Sequence, residues 1–99
     1  MGVLIDSYFT LNATYLITGV INSTEGVSVI IMPQSVYPFF KASGGTPNYY
    51  TWYSGQVKDV KIDVVLPAGR YVWFLINLGD VPTNYTERYI EATLLSSQS

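Results

Sequence analysis

Residues 57–77, VKDVKIDVVLPAGRYVWFLIN, carry the clearest pattern in the chain. Lys58, Val60, Ile62, Val64 and Leu66 fall on one side of an extended backbone. Val57, Asp59, Lys61, Asp63 and Val65 fall on the other. A period of two marks a strand with one face on a core and one face wet. Pro67-Ala68-Gly69 then turns the chain, and residues 71–76 are apolar on both sides. The pattern predicts an antiparallel hairpin whose second strand has its outer face covered as well.

The rest of the chain also reads as strands. Residues 3–11 form an opening extended stretch. Residues 13–22 alternate, with Tyr15, Ile17, Gly19 and Ile21 opposed to Thr14, Leu16, Thr18 and Val20. Gly19 inside such a strand predicts a bulge or a close backbone approach. Asn22-Ser23-Thr24-Glu25-Gly26 is a turn cluster, and 27–32 reads as a short buried strand stopped by Pro33. The apolar piece 36–40 is interrupted by Pro38 and reads as an edge strand or an irregular crossing. Loops are predicted at 41–48 and 79–84, an aromatic strand at 49–54 and a last strand at 85–95. No segment holds a 3.6-residue period over ten residues. The expected fold class is all-β, an antiparallel β-sandwich of jelly-roll type with seven to eight strands. A single domain is expected over 1–95, followed by a polar C-terminal tail at 96–99.

Composition changes the picture in three ways. The 99 residues are 48% hydrophobic and only 12% charged, about half the usual charged share, so Ser, Thr, Asn and Tyr must supply the wet surface. The net charge of −2 leaves no electrostatic footprint for nucleic acid or anionic lipid. Acid unfolding comes mostly from carboxylates whose folded-state pKa is depressed. Their contribution is present above the unfolded pKa and is lost as pH falls through the folded one. With seven acidic residues and no histidine, this chain has little to lose, which suits an acid-stable protein of an archaeal exterior. The absence of cysteine excludes disulfides and thiol chemistry. No apolar run approaches the ~18 residues that span a bilayer, and no signal-peptide pattern opens the chain. The expectation is a trimmed ectodomain at the cell surface, with a complete small cytosolic protein as the competing reading.

Candidate chemistry is sparse. Without His or Cys the commonest general base and the best nucleophile are missing. Asp59 and Asp63 lie four residues apart on one strand, about 13 Å, and Glu87 and Glu91 are spaced alike. A hydrolase would need a cross-strand pair such as Asp59 or Asp63 with Glu87. The plainer reading is a charge-patterned, solvated sheet face. Gly79-Asp80 offers a single carboxylate, too few oxygens for Ca²⁺. No catalytic residue, metal or cofactor is expected.

The ligand-binding candidates are aromatic: Tyr37, Tyr49, Tyr50, Trp52 and Tyr53. Their rings with polar tips suit stacking on sugars or anchoring a protein. Alternation sends Tyr50 and Trp52 one way and Tyr49 and Tyr53 the other. The opposing reading makes Tyr50 and Trp52 core residues. Single-stranded nucleic acid is disfavoured because no basic groove accompanies the rings. Three N-x-S/T sequons, at Asn12, Asn22 and Asn84, lie at predicted turns or strand ends and are candidate glycosylation sites. The all-apolar strand around Trp73 is either buried on both faces or docks another subunit.

Leu66-Pro67-Ala68-Gly69-Arg70-Tyr71, followed by Leu75-Ile76-Asn77, resembles a turn motif of small jelly-roll domains appended to secreted prokaryotic proteins. The bacterial pre-peptidase C-terminal domain is the best-known family. Ile5-Asp6-Ser7-Tyr8-Phe9 and Ile17-Thr18-Gly19-Val20-Ile21 are similar to the openings of those domains. Residues 37–53 replace that family's Asp-rich middle, so none of its metal properties carries over. The resemblance implies a non-catalytic, extracellular accessory role. The expected function is a binding or assembly module contacting an envelope protein or glycan, without inserting into a membrane. The alternative is a structural subunit of a surface filament or layer, a homo-oligomer built through the Trp73 side.

Overall fold

The computed structural model describes residues 2–42, 50–77, 79 and 81–96. Among them six strands and a short helix run in the order β1 (Gly2–Leu11), β2 (Thr14–Pro33), α1 (Tyr37–Ala42), β3 (Trp52–Tyr53), β4 (Val57–Leu66), β5 (Gly69–Asn77) and β6 (Tyr85–Ser96). Every pairing is antiparallel, so the protein is all-β as the alternation requires.

Strand β2 organises the sheet. Its first arm lies between β4 and β6, with Tyr15 opposite Leu66 and Ile17 opposite Ala92. Its second arm lies between β5 and β3, with Pro33 opposite Tyr71 and Ile30 opposite Tyr53. From Leu66 to Tyr71 the chain advances five residues, at most roughly 18 Å. A straight β2 would hold Tyr15 and Pro33 about 60 Å apart. The strand therefore folds over on itself, and does so where the turn cluster stands. Gly26 adopts a φ of 109°, which a Cβ would strain. Its N–H donates to Ser23 Oγ at 3.1 Å, and that hydroxyl donates to the Lys58 carbonyl at 3.0 Å. The pairing of β2 with β4 shifts register between Asn22 and Val27.

The two arms face each other across one core. Ile17 and Ile21 from the first arm meet Val29 and Ile31 from the second, with Val60, Ile62 and Leu66 of β4 and Leu75 of β5. On the far side of β5, Val72, Phe74 and Ile76 join Ile30 and Met32 beneath Tyr37 and Phe40 of α1. This is the cover that the doubly apolar β5 demands.

The region 36–40 is thus helical, neither an edge strand nor an irregular crossing. Pro38 sits in the first turn, where a missing N–H leaves no bond unmade. The Phe40 N–H donates to the Val36 carbonyl at 3.2 Å. Tyr37 and Phe40, three apart and on one helix face, place their rings 5.4 Å and 4.6 Å from Phe74. The strands among the described residues number six instead of seven to eight. Segments 13–22 and 27–32 are the two arms of one strand, and 36–40 is not a strand. The aromatic strand shortens to Trp52–Tyr53, and β6 runs to Ser96, into the expected tail. Residues 43–49, Asp80 and 97–99 lie outside the described residues.

The motif at 66–71 is a local clasp. The Tyr71 hydroxyl donates to the Pro67 carbonyl at 2.8 Å, and a Cβ on Gly69 would meet the Tyr71 ring at 3.4 Å. Burial pushes the Tyr71 phenol above its ordinary pKa. Among the described residues no helix is long and apolar enough to cross a membrane.

Candidate interaction surface

The doubled sheet is open along one side. Strand β1 pairs only with β5, and β6 pairs only with β2, so each presents an unpaired backbone edge among the described residues. Between them runs a groove of about 310 Å³, walled by Phe9 and Leu11 of β1, Trp73 of β5, Ile17 of β2, and Ile90 and Ala92 of β6. Its walls are apolar except for Glu91. Every side chain from Tyr85 to Leu95 is exposed; Ile90 keeps 36% of its surface in contact with water and Leu94 52%.

Two local features set the position of β6. Gly19 lets it approach β2 closely, because a Cβ there would lie 2.9 Å from the Tyr89 carbonyl oxygen and 3.1 Å from Ile90 Cγ1. The register shifts between Val20 and Ile21, so that Val20 faces Tyr89 and Ile21 faces Glu87. Arg88 is the extra residue of a bulge. The alternation around Gly19 therefore foretells a close approach, with the bulge in the partner strand.

The aromatic candidates separate. Tyr37 is buried, not displayed: its hydroxyl donates to Asp6 Oδ2 at 2.9 Å and Lys41 Nζ lies 4.7 Å from its ring centre. Burial, and then the Asp6 carboxylate, push its pKa up to about 12. Tyr49 lies outside the described residues. Trp52 packs against the inner core and Tyr53 against the cluster under α1. Tyr50 is 47% exposed, with its ring centre 5.3 Å from that of Tyr53. The pairing is thus Tyr50 with Tyr53, not Tyr50 with Trp52. Tyr50 precedes the two-residue strand β3, so strand alternation does not reach it.

The carboxylates do not converge. Strand β2 runs between β4 and β6, which puts Asp63, Thr18 and Glu91 in one row and separates the two acids by roughly 10 Å of sheet. Asp59 instead accepts from Asn22 Nδ2 at 2.8 Å. Among the described residues no group of three or more His, Cys, Asp or Glu could hold a metal ion. No buried side-chain polar atom there lacks a partner. Ser28, a buried polar residue, donates to Gln56 Oε1 at 3.0 Å, and Gln56 Nε2 donates to the Gly26 carbonyl and to Asn77 Oδ1.

The sequons fall in two places. Asn12 is exposed at the turn between β1 and β2. Asn22 and Asn84 come together around one shallow depression with Ser23, Thr24 and Thr86. Sequence reasoning singled out the Trp73 strand but not Phe9, Leu11, Ile90 and Ala92, the residues that complete the groove with it. The alternation Ile90, Ala92, Leu94 was the available signal. No family model matches the chain, and neither a curated protein nor a solved structure matches it.

Proposed function

We propose that this chain is a non-catalytic structural module of an extracellular surface, which self-associates through the open side of its sheet. The observation that carries the reading is β6, paired on one edge only, exposed along its length and bordering an apolar groove. Unpaired edges attract further strands, and soluble monomers normally blunt them with Lys, Pro or a covering element. Residues 89–95 of β6 hold one charged residue, Glu91, and neither Lys nor Pro. A second copy supplies what the site requires: an extended strand with Ile90, Ala92 and Leu94 at alternate positions. With a net charge of −2 per chain, repulsion between copies is small.

Area sets the strength. A 12-residue strand pairing along its edge covers on the order of 400 Å² per partner, half of the ~800 Å² of a stable interface. Side chains entering the groove must supply the rest, so association is concentration-dependent. The resemblance to jelly-roll accessory domains of secreted proteins supports the extracellular placement and a sandwich of that type. Light scattering from about 10 μM to 1 mM tests the reading. Mass rising with concentration, and returning to monomer in Ile90→Glu/Leu94→Glu, is expected. A wild-type monomer at the highest concentration overturns it.

The neighbouring Tyr50 and Tyr53 rings favour a second reading, contact with an envelope glycan or protein. Co-sedimentation with isolated envelopes that is lost in Tyr50→Ala/Tyr53→Ala would establish it.

A further inference from the structure

The two sequons that meet at the depression are chemically unequal. A sequon accepts a glycan when its carboxamide nitrogen and the hydroxyl two residues on are both available. At Asn22 both are engaged. Its Nδ2 donates to Asp59 Oδ1 at 2.8 Å, and Thr24 Oγ1 accepts the backbone N–H of Asn84 at 3.0 Å. Asn22 also lies in the arm of β2 flanked by β4 and β6, opposite Asp59 on one side and Thr86 on the other. At Asn84 the reverse holds. Its backbone is pinned, with its N–H on Thr24 Oγ1 and its carbonyl accepting from the Thr24 N–H at 2.9 Å. Its side chain is exposed, as is that of Thr86. Among the described residues neither the Asn84 carboxamide nor the Thr86 hydroxyl is engaged by another side chain.

We infer that Asn84 is an N-glycan acceptor of the folded chain and that Asn22 is not. The co-substrate is a lipid-linked glycosyl phosphate or pyrophosphate. The Asn84 Nδ2 attacks the anomeric carbon of the sugar. The bond from that carbon to the phosphate oxygen breaks, and the lipid phosphate leaves with the electron pair. One amide proton passes to a base of the transferase. The pinned backbone presents the acceptor at the start of β6, away from Ile90 and Leu94, so that a glycan there leaves the groove open. Modification at Asn22 requires β2 to part from both β4 and β6 at its bend, a local opening that costs free energy and that Asn84 does not need.

The test uses the full folded chain, an N-oligosaccharyltransferase that accepts the plain sequon, and its lipid-linked donor, with occupancy read by glycopeptide mass spectrometry. Asn84 is expected to be modified at least roughly a hundredfold faster than Asn22. Thr86→Ala removes that modification, and a synthetic peptide spanning 18–28 is modified at Asn22. Comparable rates at the two sites in the folded chain overturn the inference, as does an unmodified Asn84. Refusal of Asn22 in the free peptide overturns it too, since the fold would then not be what protects that site. The reaction depends neither on self-association nor on compartment, so its outcome is separate from that of the assembly reading.

Discussion

Replacing Phe40 by alanine tests whether α1 is a structural cover or a decoration. The ring is buried at 3% exposure, 4.6 Å from Phe74 and 6.1 Å from Tyr37. Returning a buried phenylalanine side chain to water costs about 1.5–3 kcal/mol, and each well-placed aromatic pair adds about 0.5–1.5 kcal/mol. The expected loss is about 3–5 kcal/mol, the range of core Phe→Ala changes. For a domain of this size it lowers Tm by roughly 12–40 °C. The assay is urea unfolding followed by tryptophan fluorescence, since Trp52 and Trp73 both pack against the inner core and report global unfolding rather than helix fraying. Phe39→Ala is the matched control: Phe39 is one residue away but 68% exposed, and its loss is expected to stay within about 0.5 kcal/mol. A loss below about 1 kcal/mol for Phe40→Ala, or equal losses for both variants, would refute the packing of α1 on β5.

Two further outcomes follow from the same geometry. Tyr37, with its pKa pushed up to about 12 by burial and the Asp6 carboxylate, must unfold or expose itself to ionise. Its contribution is complete below the unfolded phenol pKa near 10 and disappears as pH rises through the folded value. Thermal stability should therefore fall between about pH 10 and 12, in step with a phenolate absorbance change that Tyr37→Phe reduces; an unchanged alkaline profile in that variant counts against the buried site. Gly19→Ala should destabilise by about 1–3 kcal/mol and speed amide exchange along β6 more than along β1, because the new methyl meets the Tyr89 carbonyl; uniform exchange rates would show that β6 does not depend on that close approach.

The readable parts of this fold were those governed by a short period and by local chemistry. Strands β4 and β5 follow from strict alternation and a Pro-Ala-Gly turn, and the need to cover β5 follows from Val72, Phe74 and Ile76 being apolar on its second face. The expected hairpin does not form among the described residues: β4 pairs with the first arm of β2, and β5 with its second arm and with β1, so the turn carries the chain across from one layer to the other. The bend at residues 22–26 was legible as a turn cluster, but not as a fold within one strand. That depends on β4 pairing through Asn22 and resuming at Val27, a relation between distant segments. Helix α1 escaped because six residues are too few for a 3.6 period to register. Pro38 also argues against a strand interior and for a helix start with equal force. In sequence Tyr37 reads as a surface ring, because its cover, Phe74, is far away along the chain. Alternation does not reach the Tyr50–Tyr53 contact, because it stops where β3 does.

The doubled β2 also sets the order in which the chain is completed during synthesis. Both partners of its second arm, β3 and β5, and both partners of its first, β4 and β6, follow it in sequence, and β1 waits for β5, with Gly2 opposite Asn77. At translation rates of about 5–20 residues per second, β1 and β2 stay unpaired for roughly 2–10 s after they are made. No early hairpin shields them, and distant pairings of this kind are slow to close. A ribosome stalled before β5 would leave β1 with no native partner and the second arm of β2 with only the two residues of β3, although β4 could already pair with the first arm. For this protein, the period of greatest exposure to aggregation comes before β5 is made.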